Sequence, residues 1–184
     1  MTTLRDLVAK LSSPENKRVL EALAELRARG WLGDGSLEGI PLCYCHMEGA
    51  DLLGANLQRV DLHQAHLEWA DLSMANLREA KLTRAGLQGA NLSETDLCGA
   101  DLFKANLQGA RHVTDAQLAS AHRLWGAIMP DGSSYDGCYN LKGDLEFARW
   151  GRIDINDPQA MADFLRVPLE VYQRGQQRRM AEAA

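Results

Sequence analysis

The side chains best suited to chemistry sit close together in sequence: Cys43, His46, His63 and His66, with twenty residues separating Cys43 from His63 and His46 from His66. Thiolates and imidazoles are the ligands zinc takes in tetrahedral sites. The spacing matches no standard zinc motif, however, and outward histidines are ordinary on a polar surface, so neither a metal nor a cofactor is expected. Asp131 and Asp136, in PDGSSYDG, form a second candidate group that could face a cation. It has too few oxygen ligands and no terminal glutamate for an EF-hand loop, and a tight Asp-Gly turn accounts for it. The chain carries no P-loop, dinucleotide fingerprint, G-x-S-x-G elbow or HExxH. No catalytic residue can be named, and the expectation is a protein that is not an enzyme.

Whatever positions these side chains is set by a five-residue rhythm. Leucine occupies every fifth position from Leu52 through Leu107 without a miss, usually with Ala two residues before and Asp or Asn one before, as in ADLSMANLREA. A helix advances about 100° per residue and would scatter these leucines around its surface. A strand alternates faces, so an odd period would send successive leucines to opposite sides. A chain that bends once per pentapeptide, with each Leu on one axis and a small Ala beside it, satisfies the pattern, and such self-similarity reads as a solenoid. Glycine at 39, 49, 54, 89, 99 and 109, two residues after the central position, suits the positive φ of a type II turn. Where Arg59, Trp69 or Glu79 replaces it, a different turn is expected.

These residues resemble the pentapeptide-repeat proteins, whose motif is A(D/N)LXX. The resemblance implies an all-β solenoid, a right-handed quadrilateral β-helix with four pentapeptides per coil and about four coils, covering about Leu37 to Leu107 in strict register. Residues twenty apart then become vertical neighbours, and the exterior divides into columns. Asp61, Lys81 and Asp101 make an alternating charge ladder, Arg59 meets Glu79, Asn56 meets Asn76, and Asp51 stacks on Asp71. Cys43 stacks on His63 and His46 on His66, near one edge. Trp69 projects outward between Gly49 and Gly89, with Leu53 and Met74 on the adjoining face. Leu53, Trp69 and Met74 are the candidate interaction surface, because apolar groups clustered outside a core mark partner sites. Cys45 falls at an inward position and serves as core filler.

The flanks lack the repeat and are expected to be helical: an N-terminal cap over 1–30, the repeat over 31–112, and a C-terminal cap and tail over 113–184. Leu4 to Leu11 forms a short helix. Ser13-Pro14-Glu15 starts a second, with Val19, Leu20, Leu23 and Leu26 as its apolar stripe up to Gly30. TDAQLASAHRLW reads as a helix capped by Thr114, and Asp157-Pro158 and Val167-Pro168 open two more. Solenoid ends need such covers. The same helices could instead form a homodimer interface.

With 184 residues and 46% hydrophobic content, the chain suits one elongated domain. No run approaches the roughly 18 apolar residues of a membrane span, and MTTLRDLVAK lacks a signal-peptide core, so a soluble bacterial cytoplasmic protein without membrane contact is expected. Four irregularly spaced cysteines agree with reduced thiols. A net charge of −5 argues against direct nucleic-acid binding. The leading expectation is a non-enzymatic scaffold that contacts a protein partner through its wall or its helical tail. Some members of the resembling family mimic duplex DNA and protect type II topoisomerases such as gyrase, and the acidic excess between Leu32 and Gly109 makes that the alternative. Arg59, Arg78, Lys81, Arg84 and Lys104 interrupt this negative surface.

Overall fold

The computed structural model describes residues 2–182, with side chains through residue 178. Its centre is a stack of coils whose rungs pair in parallel at a separation of twenty residues. One side of the stack carries Pro41, Asp61, Lys81 and Asp101; the next His46, His66, Gly86 and Asn106; the third Asp51, Asp71, Asn91 and Arg111; the fourth Asn56, Asn76 and Asp96. Inner rungs bond both neighbours, as where Asp71 donates its N–H to Ala50 O at 2.9 Å on one side and Leu72 donates to Asn91 O at 2.9 Å on the other. Between rungs the chain turns, with Ala75 N–H donating to Leu72 O at 3.0 Å. Turns this frequent leave room for pairing one residue at a time. The anticipated all-β solenoid is thus a solenoid of stacked coils built from single parallel bridges, and no continuous strand forms among the described residues.

Leu52 to Leu107 converge on the axis with at most 1% of their surface exposed, and Ala50, Ala55, Ala65, Ala70 and Ala75 pack beside them. Burying each leucine is worth about 1.5 to 3 kcal/mol. Cys45 is buried in the same layer, and burial pushes its thiol up to about 12.

The expectation of a different turn at Arg59, Trp69 and Glu79 is overturned. Their φ values of 56°, 63° and 55° match the 68° of Gly49 and 67° of Gly89. All corners must close alike for the rungs to stay level, and the stack on either side holds these side-chain-bearing residues in the left-handed region despite its cost.

The N-terminal flank forms two helices, α1 (Leu4–Leu11) and α2 (Asn16–Ala28). A reciprocal capping box between Thr3 and Asp6 starts α1. α2 begins two residues later than Ser13-Pro14 suggests, with Glu15 at its cap, and buries Val19, Ala22, Leu23 and Leu26. It is tied to the first coil by Asn16 Nδ2, which donates to Glu48 O at 3.0 Å, and by Arg27, whose Nη2 lies 2.9 Å from Asp51 Oδ1.

Beyond Arg111 the chain leaves the wall as α3 (Asp115–Ser120), opened by a Thr114–Gln117 capping box. The helix expected to reach Trp125 stops at Ser120, because Arg123 and Ile128 return to the ladder, pairing with Asp101 and Asn106. Three helices follow: α4 (Lys142–Trp150), α5 (Pro158–Leu165) and α6 (Leu169–Glu182). Asp157 caps α5 with Pro158 in its first turn. α4 has no side-chain cap of its own; its Asp144 turns away and accepts the N–H groups of Leu124 and Trp125 in the last coil. None of the described helices is long and apolar enough to cross a membrane.

Candidate functional site

The side of the stack that begins at His46 differs from the other three. Its outward residues at successive levels are His46, Glu48 and Gly49; His66, Glu68 and Trp69; Gly86, Gln88 and Gly89. Trp69 is 69% exposed, yet one ring face lies flat on the next level, where a Cβ at Gly89 would fall 2.5 Å from its Cζ3. The absence of a side chain at Gly89 therefore leaves room for the indole to lie against that level while most of it stays exposed. On the adjoining side, Met74 is 62% and Leu53 44% exposed, and Leu53 O accepts from Arg27 at 3.0 Å where α2 meets the wall. All three residues of the expected surface remain open among the described residues. Tyr44 is exposed on another side, whereas Phe103 is partly buried and stacks on Trp125 at 5.2 Å.

The four expected soft ligands separate into two unlike pairs. His63 meets Tyr44 edge to face at 5.7 Å, and Cys43 Sγ lies 3.8 Å from Asp61 O. Burial and the neighbouring Asp61 raise the Cys43 thiol above its ordinary value. His46 and His66 stack with centroids 4.8 Å apart and planes 6° from parallel. Each faces a carboxylate two residues on: His46 Nδ1 is 3.1 Å from Glu48 Oε1, and His66 Nδ1 is 3.7 Å from Glu68 Oε1. Burial works against ionisation of Glu48, but its own backbone N–H and the His46 ring outweigh it and hold the carboxyl below its usual range. Glu48 and Glu68 are not among the ligands expected from the sequence. The signal available was the repeated His-x-Glu at 46–48 and 66–68, in register with the coil.

Asp131 and Asp136 do not converge on a cation. Asp131 accepts the Ser133 N–H at 2.9 Å in a local turn, while Asp136 accepts from Cys138 N at 3.0 Å and pairs with Arg178 at 2.6 Å. Both border a cavity of about 290 Å³ between the last coil and α6.

The columns of the outer wall are largely ion-paired or hydrogen-bonded. Lys81 Nζ lies 3.5 Å from Asp61 Oδ2, Arg123 Nη2 2.5 Å from Asp101 Oδ2, and Arg59 Nε 2.9 Å from Glu79 Oε2. Asn76 Nδ2 donates to Asn56 Oδ1 at 3.2 Å. Asp51 and Asp71 stack without strain because each accepts the N–H two residues on, from Leu53 and Ser73.

The family description "Pentapeptide repeats" matches this sequence in 8 copies, over residues 37–73, 61–97 and 80–111. Among solved structures, HetL from Nostoc sp. strain PCC 7120, a pentapeptide repeat protein involved in heterocyst differentiation regulation, is 48% identical over 50% of this chain and 42% of its own, with a TM-score of 0.48. The chain thus spans less than half of that relative. A second Nostoc pentapeptide repeat protein, alr5209, is 32% identical over 55% of this chain and 93% of its own, with a TM-score of 0.43. One from the thylakoid lumen of Arabidopsis thaliana is 26% identical over 53% of this chain and 66% of its own, with a TM-score of 0.27. Curated proteins give no match.

Proposed function

Because the chain belongs to the pentapeptide-repeat family through residues 37–111, we propose that it is a non-enzymatic scaffold that binds a protein partner through its wall. In this reading the coils form the family's right-handed quadrilateral β-helix, the helices of residues 1–30 and 113–184 cap it, and the protein works in the cytoplasm without a cofactor. The observation that carries the proposal is Trp69, 69% exposed and braced against Gly89, with Met74 and Leu53 open beside it. A rigid aromatic that loses little entropy on contact is what interface centres favour. An affinity pull-down from the native cell tests it by comparing the wild type with Trp69→Ser. Loss of a specific partner in the variant, with an unchanged circular dichroism spectrum, is expected; equal recovery by both proteins discards the surface. Light scattering of the full chain distinguishes a second copy from a different partner.

The rival reading is a duplex-mimicking regulator of a type II topoisomerase, favoured by the acidic excess of the wall. The ion pairs of Asp61, Asp101 and Glu79 speak against it, because they neutralise the columns a negative rod would need. In a gyrase supercoiling assay neither inhibition nor protection is expected.

A further inference from the structure

We propose that His46, Glu48, His66 and Glu68 form a binding site for one divalent transition-metal ion of the zinc class. The stacked coils bring ligand atoms of His46, Glu48 and His66 within 4.8 Å of one another, and Glu68 flanks them from the same level as His66. Imidazole and carboxylate together are a donor set that zinc and its first-row neighbours accept.

Two further observations single out this group from ordinary surface histidines. Glu48 Oε2 and Glu68 Oε2 are buried without a hydrogen-bond partner. Ionised carboxylate oxygens can only accept, so two of them buried beside two imidazoles lack the positive partner that a bound cation would provide. The second observation is Gly86. At this position of the repeat the other levels carry residues such as Asp71, Asn76, Lys81 and Asn91, and Gly86 does not have the positive φ that would demand glycine. What it supplies is space: a Cβ there would overlap Glu68 Oε1 and lie 2.8 Å from Glu68 Cδ. The missing side chain is the recess that admits the Glu68 carboxylate. Gln88 Oε1 borders the same recess, 3.1 Å from that Cβ position.

Parallel imidazoles cannot aim both lone pairs at one point, so binding tilts the rings toward each other. Side chains 36% and 48% exposed have room to do so. The ion would join two successive coils on the side that carries Trp69. The scaffold reading does not depend on it.

The test uses the full-length protein without a histidine tag, stripped with chelator and titrated at pH 7.5 with zinc by calorimetry and with cobalt(II) by visible absorption. One equivalent should bind, with the d–d bands of nitrogen and oxygen coordination and a higher melting temperature. His66→Ala and Glu68→Gln should each weaken binding by at least about tenfold. Gly86→Asn, which restores the residue type usual at that position, should weaken it similarly by filling the recess. The double variant Cys43→Ala/His63→Ala should bind like the wild type. Absence of stoichiometric binding of both metals overturns the site. So does binding that survives both His66→Ala and Glu68→Gln in folded protein, or that is lost in the Cys43/His63 variant.

Discussion

Thr95 stands where the repeat calls for alanine, and it is 2% exposed. Its hydroxyl donates to Leu72 O at 2.8 Å, so a polar group enters the core by bonding the turn one level below. That exception shows how tightly the alanine layer is defined: a larger side chain is admitted where it finds a partner. Ala75, in the same column, has no such outlet. Ala75→Leu should cost about 1 to 3 kcal/mol of stability, read as a lower midpoint in urea denaturation. An unchanged midpoint would mean that the axis is loosely filled. The leucine and alanine layers were legible in the sequence because burial on one axis imposes residue type at a fixed period. The conformation at Trp69 was not, since positive φ at a bulky residue is set by the levels above and below and opposes local preference. The metal-binding candidates were half legible. His46 and His66 were visible as a column, while the role of Glu68 depended on its side chain folding into a recess made by a glycine four pentapeptides on, one level above.

At the scale of elements, α3 solves a problem the repeat creates at its end. Ala75 O accepts the N–H of Asp96, twenty-one residues on, at 3.0 Å. Thr95 cannot follow suit, because the corresponding residue, Ala116, lies in α3. Gln117 takes over, its Nε2 donating to Thr95 O and Leu92 O at 2.8 Å each. The same side chain closes the capping box with Thr114. Gln117→Ala should therefore cost about 1 to 3 kcal/mol, more than an exposed capping residue alone, measured by thermal or urea unfolding. The capping residues made α3 and α5 readable from sequence. α4 was not readable, because Gly143 weakens its first turn and Asp144 is committed elsewhere: Gly143 abuts His122, where a Cβ would lie 2.7 Å from the carbonyl oxygen. Asp144 is 3% exposed, and burial raises its carboxyl to about 6 although the Leu124 and Trp125 N–H groups favour the charged form. A folded-state value above the unfolded one means that the folded protein binds this proton more tightly. Its contribution to stability should thus grow as pH falls from about 6 toward 4, by at most about 3 kcal/mol. Asp144→Asn should remove that segment of the pH profile, so the stability difference between variant and wild type should vary between pH 4 and 7 and level off above. A pH-independent difference would show that Asp144 titrates normally.

For the whole molecule, the decisive property is that the wall has one register for its core and another for its surface. Leucines recur every five residues, whereas bridges and ion pairs recur every twenty. The twenty-residue columns followed from the resemblance, but the point where they break did not. Asp101 pairs with Arg123, twenty-two residues on, and the two extra residues are absorbed where α3 leaves the wall. Inside the wall no helix is available to absorb an error. Deleting residues 52–71 removes one level from every side and leaves Asp51 joined to Leu72, with both registers intact and both ends still covered. That variant should unfold in a single transition, with an enthalpy lower by about 14 kcal/mol, the share of twenty residues. Deleting Ser73 alone removes far less but moves the leucines on one side of the cut out of phase with those on the other. Half of them would have to face water, or the turns would have to open and release their bonds, and either costs many times what one residue contributes. Calorimetry of the two deletions should therefore rank them against their size, with the loss of one residue more damaging than the loss of twenty. If the Ser73 deletion melts like the wild type, the five-residue register is not what holds the coils together.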